Sequence, residues 1–262
     1  MSPPAKPPAK PPAKPLAKPL TNNLGERCWP QLSEESPLLA VPLGSTEQHG
    51  PHLPLDTDTR IARALTDGLA ARVAGVLAAP ALAYGASGEH AGFPGTLSLG
   101  SRVLALALVE LTRSADATAS GVVFVNGHGG NASALREAVT LLRSEGRRVL
   151  AWAPRSALAA RVGVPSGDTD LHAGRVETSL MLHLASDLVR LDRAVAGPSP
   201  TLAELVRRGV RPLSPSGVLG DPSGASPAEG ALIFHAYVDD LVAAVLRWDE
   251  TRRDENRREE TR

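Results

Sequence analysis

The chain has 262 residues, with 28 Lys plus Arg against 28 Asp plus Glu, so its formal charge is zero and no long-range field draws it to nucleic acid or an anionic membrane. A single cysteine, Cys28, excludes an internal disulfide and a Cys-based zinc knuckle, so a metal site must rest on His, Asp and Glu. No apolar run is long enough to span a bilayer and no apolar h-region follows the N-terminal lysines, which makes a cytoplasmic protein the expectation.

Residues 1–20 repeat Pro-Pro-Ala-Lys and then Pro-Leu-Ala-Lys, a pattern that favours polyproline II or disorder; the expected tail is 1–24. One folded domain is expected over 25–250, with a charged end at 251–262 that reads as a frayed helix end or disordered tail. Residues 37–43, Pro-Leu-Leu-Ala-Val-Pro-Leu, form an apolar run without polar alternation, which suits a strand buried on both faces. Apolar positions Ile61, Ala64, Leu65, Leu69 and Val73 predict a helix over 59–73 with Thr57 or Asp58 as its cap. A second strand is predicted over 76–84, then a Gly-rich loop, 85–100, that carries Glu89 and His90. A helix over 101–114 leads to the apolar strand 121–125, which runs into Asn126-Gly127-His128-Gly129-Gly130-Asn131, with Asn131 placed to cap the next helix. A strand at 149–154, a helix at 177–184, and a last helix opened by Ser226-Pro227-Ala228-Glu229 complete the alternation. Repeated strand and helix imply an α/β fold: a mainly parallel sheet with helices on both faces.

The segment from Gly44 to Asp58 packs two histidines, His49 and His52, and three carboxylates, Glu47, Asp56 and Asp58, into the loop after the first strand. Imidazole and carboxylate are ligands that divalent zinc, manganese or iron accept, and a run of them can hold more than one ion. His128 falls at the end of a second strand, and ligands of parallel sheets bind beyond the carboxyl ends of strands. The two loops share a crevice only if their strands are close in the sheet. The bland reading of these residues is capping and turn hydrogen bonding. His183 and His235, among Leu, Ile and Ala at helical spacing, read as packed structural residues. No Walker lysine, dinucleotide fingerprint or nucleophile elbow accompanies the glycines, so nucleotide binding and covalent hydrolysis are disfavoured.

Gly44-Ser45-Thr46-Glu47-Gln48-His49-Gly50, the Asp58 that follows, Asn126-Gly127-His128, and His172-Ala173-Gly174-Arg175-Val176-Glu177-Thr178-Ser179-Leu180 together resemble the creatininase family of amidohydrolases, in order and with compatible spacing over 37–248. Residues 51–60, 85–96 and 217–222 are most similar to the family's mycofactocin-system branch. The resemblance implies a three-layer α/β fold, a homo-oligomer such as a hexamer, and two divalent ions per subunit. It also implies that Glu47 and His128 serve one ion and His49 the other, with Asp58 bridging both. His52 and Asp56 are expected to support the ligands, and Glu89 and His90 to line the substrate pocket or to sit on an ordinary mobile loop. Creatininase itself carries a glutamate where this chain has Gly130, so the second ion lacks a ligand that Glu177 is placed to supply, directly or through water.

Two ions bridged by a carboxylate hold a water whose pKa falls from ~15.7 towards ~7, a hydroxide source for amide hydrolysis. His172 matches the family's proton-shuttling histidine, and Glu177 is the reserve base; Glu177 also suits the plain role of a carboxylate at a helix N-terminus. The implied substrate is a modified ribosomal precursor peptide that releases a Val-Tyr-derived C-terminal fragment. A small cyclic or formyl amide is the alternative, and a metal-stabilised scaffold without catalysis is the alternative of another class.

Overall fold

The computed structural model of the protein describes residues 21–32, 35–164 and 170–260. Four parallel strands, β1 (Leu38–Leu43), β2 (Val76–Ala78), β3 (Gly121–Asn126) and β4 (Val149–Trp152), pair in the order β2-β1-β3-β4. Their apolar runs lack polar alternation because both faces of the sheet are covered. Leu38, Ala40, Val123 and Val125 project into a core shared with α1 (Thr57–Arg72), α4 (Ser156–Arg161), α5 (Arg175–Ala185) and α7 (Pro227–Glu260). Val41, Leu43, Val122 and Phe124 project the other way, into a core with α2 (Gly100–Ala115) and α3 (Ala132–Ser144). Two apolar layers around one sheet make the three-layer α/β fold that the alternation and the family resemblance imply.

The connections decide where the site lies. From β1 the chain returns through α1 to β2 at one edge, then crosses the opposite face through α2 to reach β3 on the other side of β1. This reversal opens a crevice at the carboxyl ends of β1 and β3. The two strands pair over their whole length, with Leu43 opposite Asn126, so their loops leave the sheet side by side. A glycine follows each strand. A Cβ on Gly44 would lie 2.5 Å from the Thr59 Cα, and one on Gly127 would lie 2.5 Å from the Asp58 carbonyl oxygen. Absence of side chains at both positions therefore lets the first turn of α1 press into the crevice and carry Asp58 with it.

Several elements differ from the sequence-based expectation, each for a local reason. The second strand stops at Ala78, because Pro80 has no N–H to donate; Leu82 rejoins β1 through bonds to Pro42 O (2.9 Å) and from Gly44 N (3.0 Å). Helix α1 starts at Thr57, with Asp58 inside its first turn rather than capping it. Asn131 occupies the cap position of α3 but its side chain makes no capping bond. Ser226 caps α7 by accepting from Glu229 N (3.2 Å), whereas the Glu229 carboxylate turns away to the Arg175 guanidinium. The short helices α4 and α6 (Leu202–Arg208) have too few turns for an apolar period to stand out. Asn22 and Asn23, counted with the tail, run beside β2, where Ala78 N donates to Asn22 O (2.8 Å). Residues 1–20 of the Pro-rich tail lie outside the described residues. At the other end α7 continues through the expected boundary at 251 to Glu260. His183 and His235 are not packed inside; both are exposed, flanking Phe234 with ring centroids 5.6 and 5.7 Å away. Among the described residues no helix is long and apolar enough to cross a membrane.

Candidate metal centre

Glu47 and His49 enter the crevice from the loop after β1, Asp58 from the first turn of α1, and His128 from the loop after β3, and all four are buried. Asp58 holds the centre. Its Oδ1 lies 3.1 Å from His49 Nε2 and its Oδ2 3.3 Å from His128 Nδ1. The other nitrogen of His128 faces Glu47 Oε2 at 3.2 Å. Two further histidines complete the cluster: His90 Nε2 is 3.1 Å and His172 Nδ1 3.8 Å from Glu47 Oε1. Glu177 Oε2 reaches within 3.9 Å of His49 Nε2.

Hydrogen bonds on the far side of the rings fix which nitrogen keeps its lone pair. His49 Nδ1 sits 3.2 Å from Glu47 O, so it donates there and leaves Nε2 free towards Asp58. His172 Nε2 donates to Gln48 O (2.8 Å) and leaves Nδ1 facing Glu47. Gln48 is a residue that sequence reasoning missed. Its Oε1 accepts from Gly50 N (2.9 Å), which turns its Nε2 to His90 Nδ1 (2.9 Å) and Gly217 O (3.1 Å). The signal was present in the Gly44 to Gly50 motif, where a glutamine stands between two ligand candidates.

Two carboxylate oxygens, Glu47 Oε1 and Asp58 Oδ2, are buried with no hydrogen bond, although imidazole nitrogens lie 3.1 and 3.3 Å away. With the imidazoles neutral, as metal ligands must be, lone pairs converge on these oxygens without donors between them, which is costly in a protein interior unless a cation fills the gap. Three overlapping groups bring one ligand atom per residue within 4.8 Å of one another: Glu47 with Asp58 and His128, Glu47 with His90 and His172, and His49 with His172 and Glu177. A set of imidazoles and carboxylates of this kind fits zinc, manganese or iron.

The electrostatics follow from burial and proximity. Burial, reinforced by Asp58, raises the Glu47 carboxyl above its ordinary range, and burial raises Glu177 likewise. Burial would lower His49, but Asp58, Glu177 and Glu47 outweigh it and hold its pKa up at about 10. His128 stands well above the usual imidazole value because Glu47, Asp58 and Glu89 likewise overcome its burial. Those two imidazolium charges hold Asp58 below the carboxylate range in spite of its burial. Burial, with neighbouring imidazoles adding to it, pushes His90 down to about 3 and His172 well below its ordinary value.

The remaining candidates divide. His52 is buried and bonds Thr178 Oγ1 (2.9 Å), tying the ligand loop to α5 one residue from Glu177, while burial lowers its pKa to about 4. Asp56 does not join the cluster; its carboxylate pairs with Arg60 at 2.8 Å near the surface, one helical turn along α1. Glu177 Oε2 accepts from Ala173 N (2.6 Å) at the start of α5, the plain role of a carboxylate at a helix N-terminus, and faces His49. Ala173 holds the left-handed φ of 53° that this bond needs, backbone strain placed beside the cluster. The turn that carries Glu89 and His90 is tied at three points: Ala86 N donates to Asn131 Oδ1, Ser87 N to Ser98 Oγ and Val210 N to Glu89 O, at 2.8 to 2.9 Å. His90 is buried, and the Glu89 carboxylate faces a cavity of ≈ 740 Å³ that Asp58, His128, His172 and Glu177 also line.

A buried His and carboxylate cluster at the strand ends, opening on a substrate-sized cavity, places the chain among the α/β metal-binding hydrolases. It belongs to the creatininase family: the family model described as creatinine amidohydrolase matches residues 26–245. The chain is 51% identical over 238 residues to the mycofactocin precursor peptide peptidase of Mycobacterium tuberculosis (strain CDC 1551 / Oshkosh), covering 86% of this chain and 91% of that one. To the creatinine amidohydrolase of Pseudomonas putida it is 31% identical, covering 85% and 95%. Among solved structures it superposes on a mutant creatininase described as the Zn-Zn type with a TM-score of 0.71 at 28% identity, covering 87% and 98%. A creatininase described as the Mn form gives 0.70 at 27%, covering 86% and 98%. The chain is thus a hydrolase of the amide-cleaving class, in a family with solved members described as Zn-Zn and Mn forms.

Proposed function

We propose that the protein cleaves a peptide bond near the C-terminus of a modified precursor peptide, with two divalent ions held by Glu47, His49, Asp58 and His128, and with Glu177 completing the second position. The observation that carries this reading is the pair of buried, unbonded carboxylate oxygens on Glu47 and Asp58, set among imidazole lone pairs under the cavity. When bound, the ions polarise the scissile carbonyl and acidify a water. Glu177 lines the same cavity, and the carboxylate oxygen not turned to His49 takes the proton from water and gives it up as the amine leaves. His172, fixed through Gln48, keeps Nδ1 unprotonated beside Glu47. Water adds to the carbonyl carbon, the C–N bond breaks, and a carboxylate and a free amine leave.

The peptide reading is favoured over a small cyclic amide by the relatives at about half identity and by the room available. A volume of ≈ 740 Å³ falls within the range of about 300–1,000 Å³ that encloses a drug-sized ligand, and apolar Leu202, Leu205 and Val206 of α6 form its outer wall. Incubating the metal-loaded protein with the modified precursor peptide and with creatinine, followed by mass spectrometry, tests it: release of a Val-Tyr-derived fragment is expected, and turnover of creatinine alone refutes it. Self-association is part of the proposal. Leu99, Val103 and Leu106 present an exposed apolar row on one face of α2, and sedimentation is expected to give a multimer in the cytoplasm's pH range.

A further inference from the structure

Glu177, His49, Asp58, His128 and Glu89 form an unbroken row. Successive contacts measure 3.9 Å, 3.1 Å, 3.3 Å and 3.4 Å, the last between His128 Nε2 and Glu89 Oε1. The three middle side chains are at most 6% exposed, whereas the carboxylates at the two ends are 25% and 23% exposed and both face the cavity. A substrate lying over the row therefore meets one carboxylate at either end. Glu177 belongs to one of the three convergent ligand groups; Glu89, among the described residues, belongs to none.

Gly130 shows that room has been kept for Glu89. Its φ is not in the left-handed region, so its backbone conformation does not call for glycine. A Cβ there would nevertheless overlap Glu89 Oε1 and His128 Nε2 and lie 2.5 Å from Ala86 O. The loop after β3 thus has no side chain at the point where the turn after β2 delivers a carboxylate. That turn is held in place from the segment just after α6, because Val210 N donates to Glu89 O at 2.8 Å.

We infer that Glu89 is a catalytic residue for the proposed amide hydrolysis: its carboxylate accepts the N–H of the scissile amide and then holds the released amine. During cleavage the nitrogen keeps its own hydrogen on Glu89 and gains its second from the attacking water, so the amine forms without a free anion. The inference rests on the amide-hydrolase reading above. It makes a demand that a structural role does not, because an ester has no N–H to give.

The test uses the metal-loaded protein with two probes, a precursor peptide carrying the Val-Tyr-derived C-terminus and its depsipeptide analogue with oxygen in place of the scissile nitrogen. Glu89→Gln and Glu89→Ala are expected to lower kcat/KM on the amide by roughly 100-fold and to lower it at least tenfold less on the ester. Metal content is expected to stay at the wild-type level, and affinity for the amine product to fall at least about tenfold by calorimetry. Equal losses on amide and ester, an unchanged amide rate, or loss of metal in both variants would each overturn the role of Glu89 while leaving amide hydrolysis intact. If the wild-type protein cleaves the ester and not the amide, the amide-hydrolase reading itself fails and the inference falls with it.

Discussion

Metal binding to this site is expected to expel protons, in a number that the geometry fixes. In the metal-free protein His49 carries a pKa of about 10 and His128 one well above the imidazole range, so near neutrality both are imidazolium ions flanking Asp58. Each must surrender one proton before a nitrogen can bind a cation, so filling the site releases about two protons, with a further fraction from Glu47 and Glu177. The combined affinity for two ions then rises roughly a hundredfold per pH unit between about pH 6.5 and about pH 8. Stability of the metal-free protein runs the other way. A raised folded pKa means the stabilisation from His49 is complete below its unfolded value near 6.5 and is lost as pH rises towards 10, at about 1.4 kcal/mol per unit. The assay is calorimetric titration with Zn²⁺ or Mn²⁺ in buffers of different ionisation enthalpy, with urea unfolding of the metal-free protein in parallel. Release of less than about half a proton would refute the argument, because it would mean that the imidazoles flanking Asp58 are already neutral.

Other substitutions separate ligation from support. Asp58→Asn removes the charge between His49 and His128 and is expected to reduce bound metal by at least one ion per chain and turnover by roughly 1,000-fold; full metal content by mass spectrometry would contradict the bridging assignment. Thr178→Val breaks the 2.9 Å contact with His52 and is expected to cost about tenfold in kcat with both ions retained, which metal analysis beside steady-state kinetics would check. Gly44→Ala forces a Cβ against the Thr59 backbone and is expected to destabilise the fold by about 3 kcal/mol; an unchanged urea midpoint would show that α1 does not need the space.

The fold was legible in sequence because buried parallel strands announce themselves as uninterrupted apolar runs, as 37–43 and 121–125 do, and because the ligand-bearing motifs resemble one family. Adjacency of β1 and β3 was not legible. It depends on which edge the α2 crossover takes, and no local pattern records that choice. His90 was read as a pocket residue, yet its burial against Glu47 and Gln48 comes from the turn after β2 being pinned by Asn131, Ser98 and Val210, residues distant in the chain. The same distance hid the relation between Glu89 and Gly130, forty-one positions apart. Asp56 was expected to support the ligands because it stands between two of them in the chain, while the helix that begins beside it turns it towards Arg60 instead.

Asn131 has a consequence for how such a site changes over time. Its single amide accepts from Ala86 N (2.8 Å) and donates to Gly44 O (3.1 Å) and Asn126 Oδ1 (3.0 Å), clamping together the segments that follow β1, β2 and β3. None of those bonds involves the part of the cavity wall supplied by α6, where Leu202 and Val206 are among the most exposed apolar side chains. The clamp and the outer wall thus draw on different side chains, joined through the bond from Val210 N to Glu89 O. Exchanging Leu202 or Val206 would change what the cavity accepts while leaving every bond of the clamp in place.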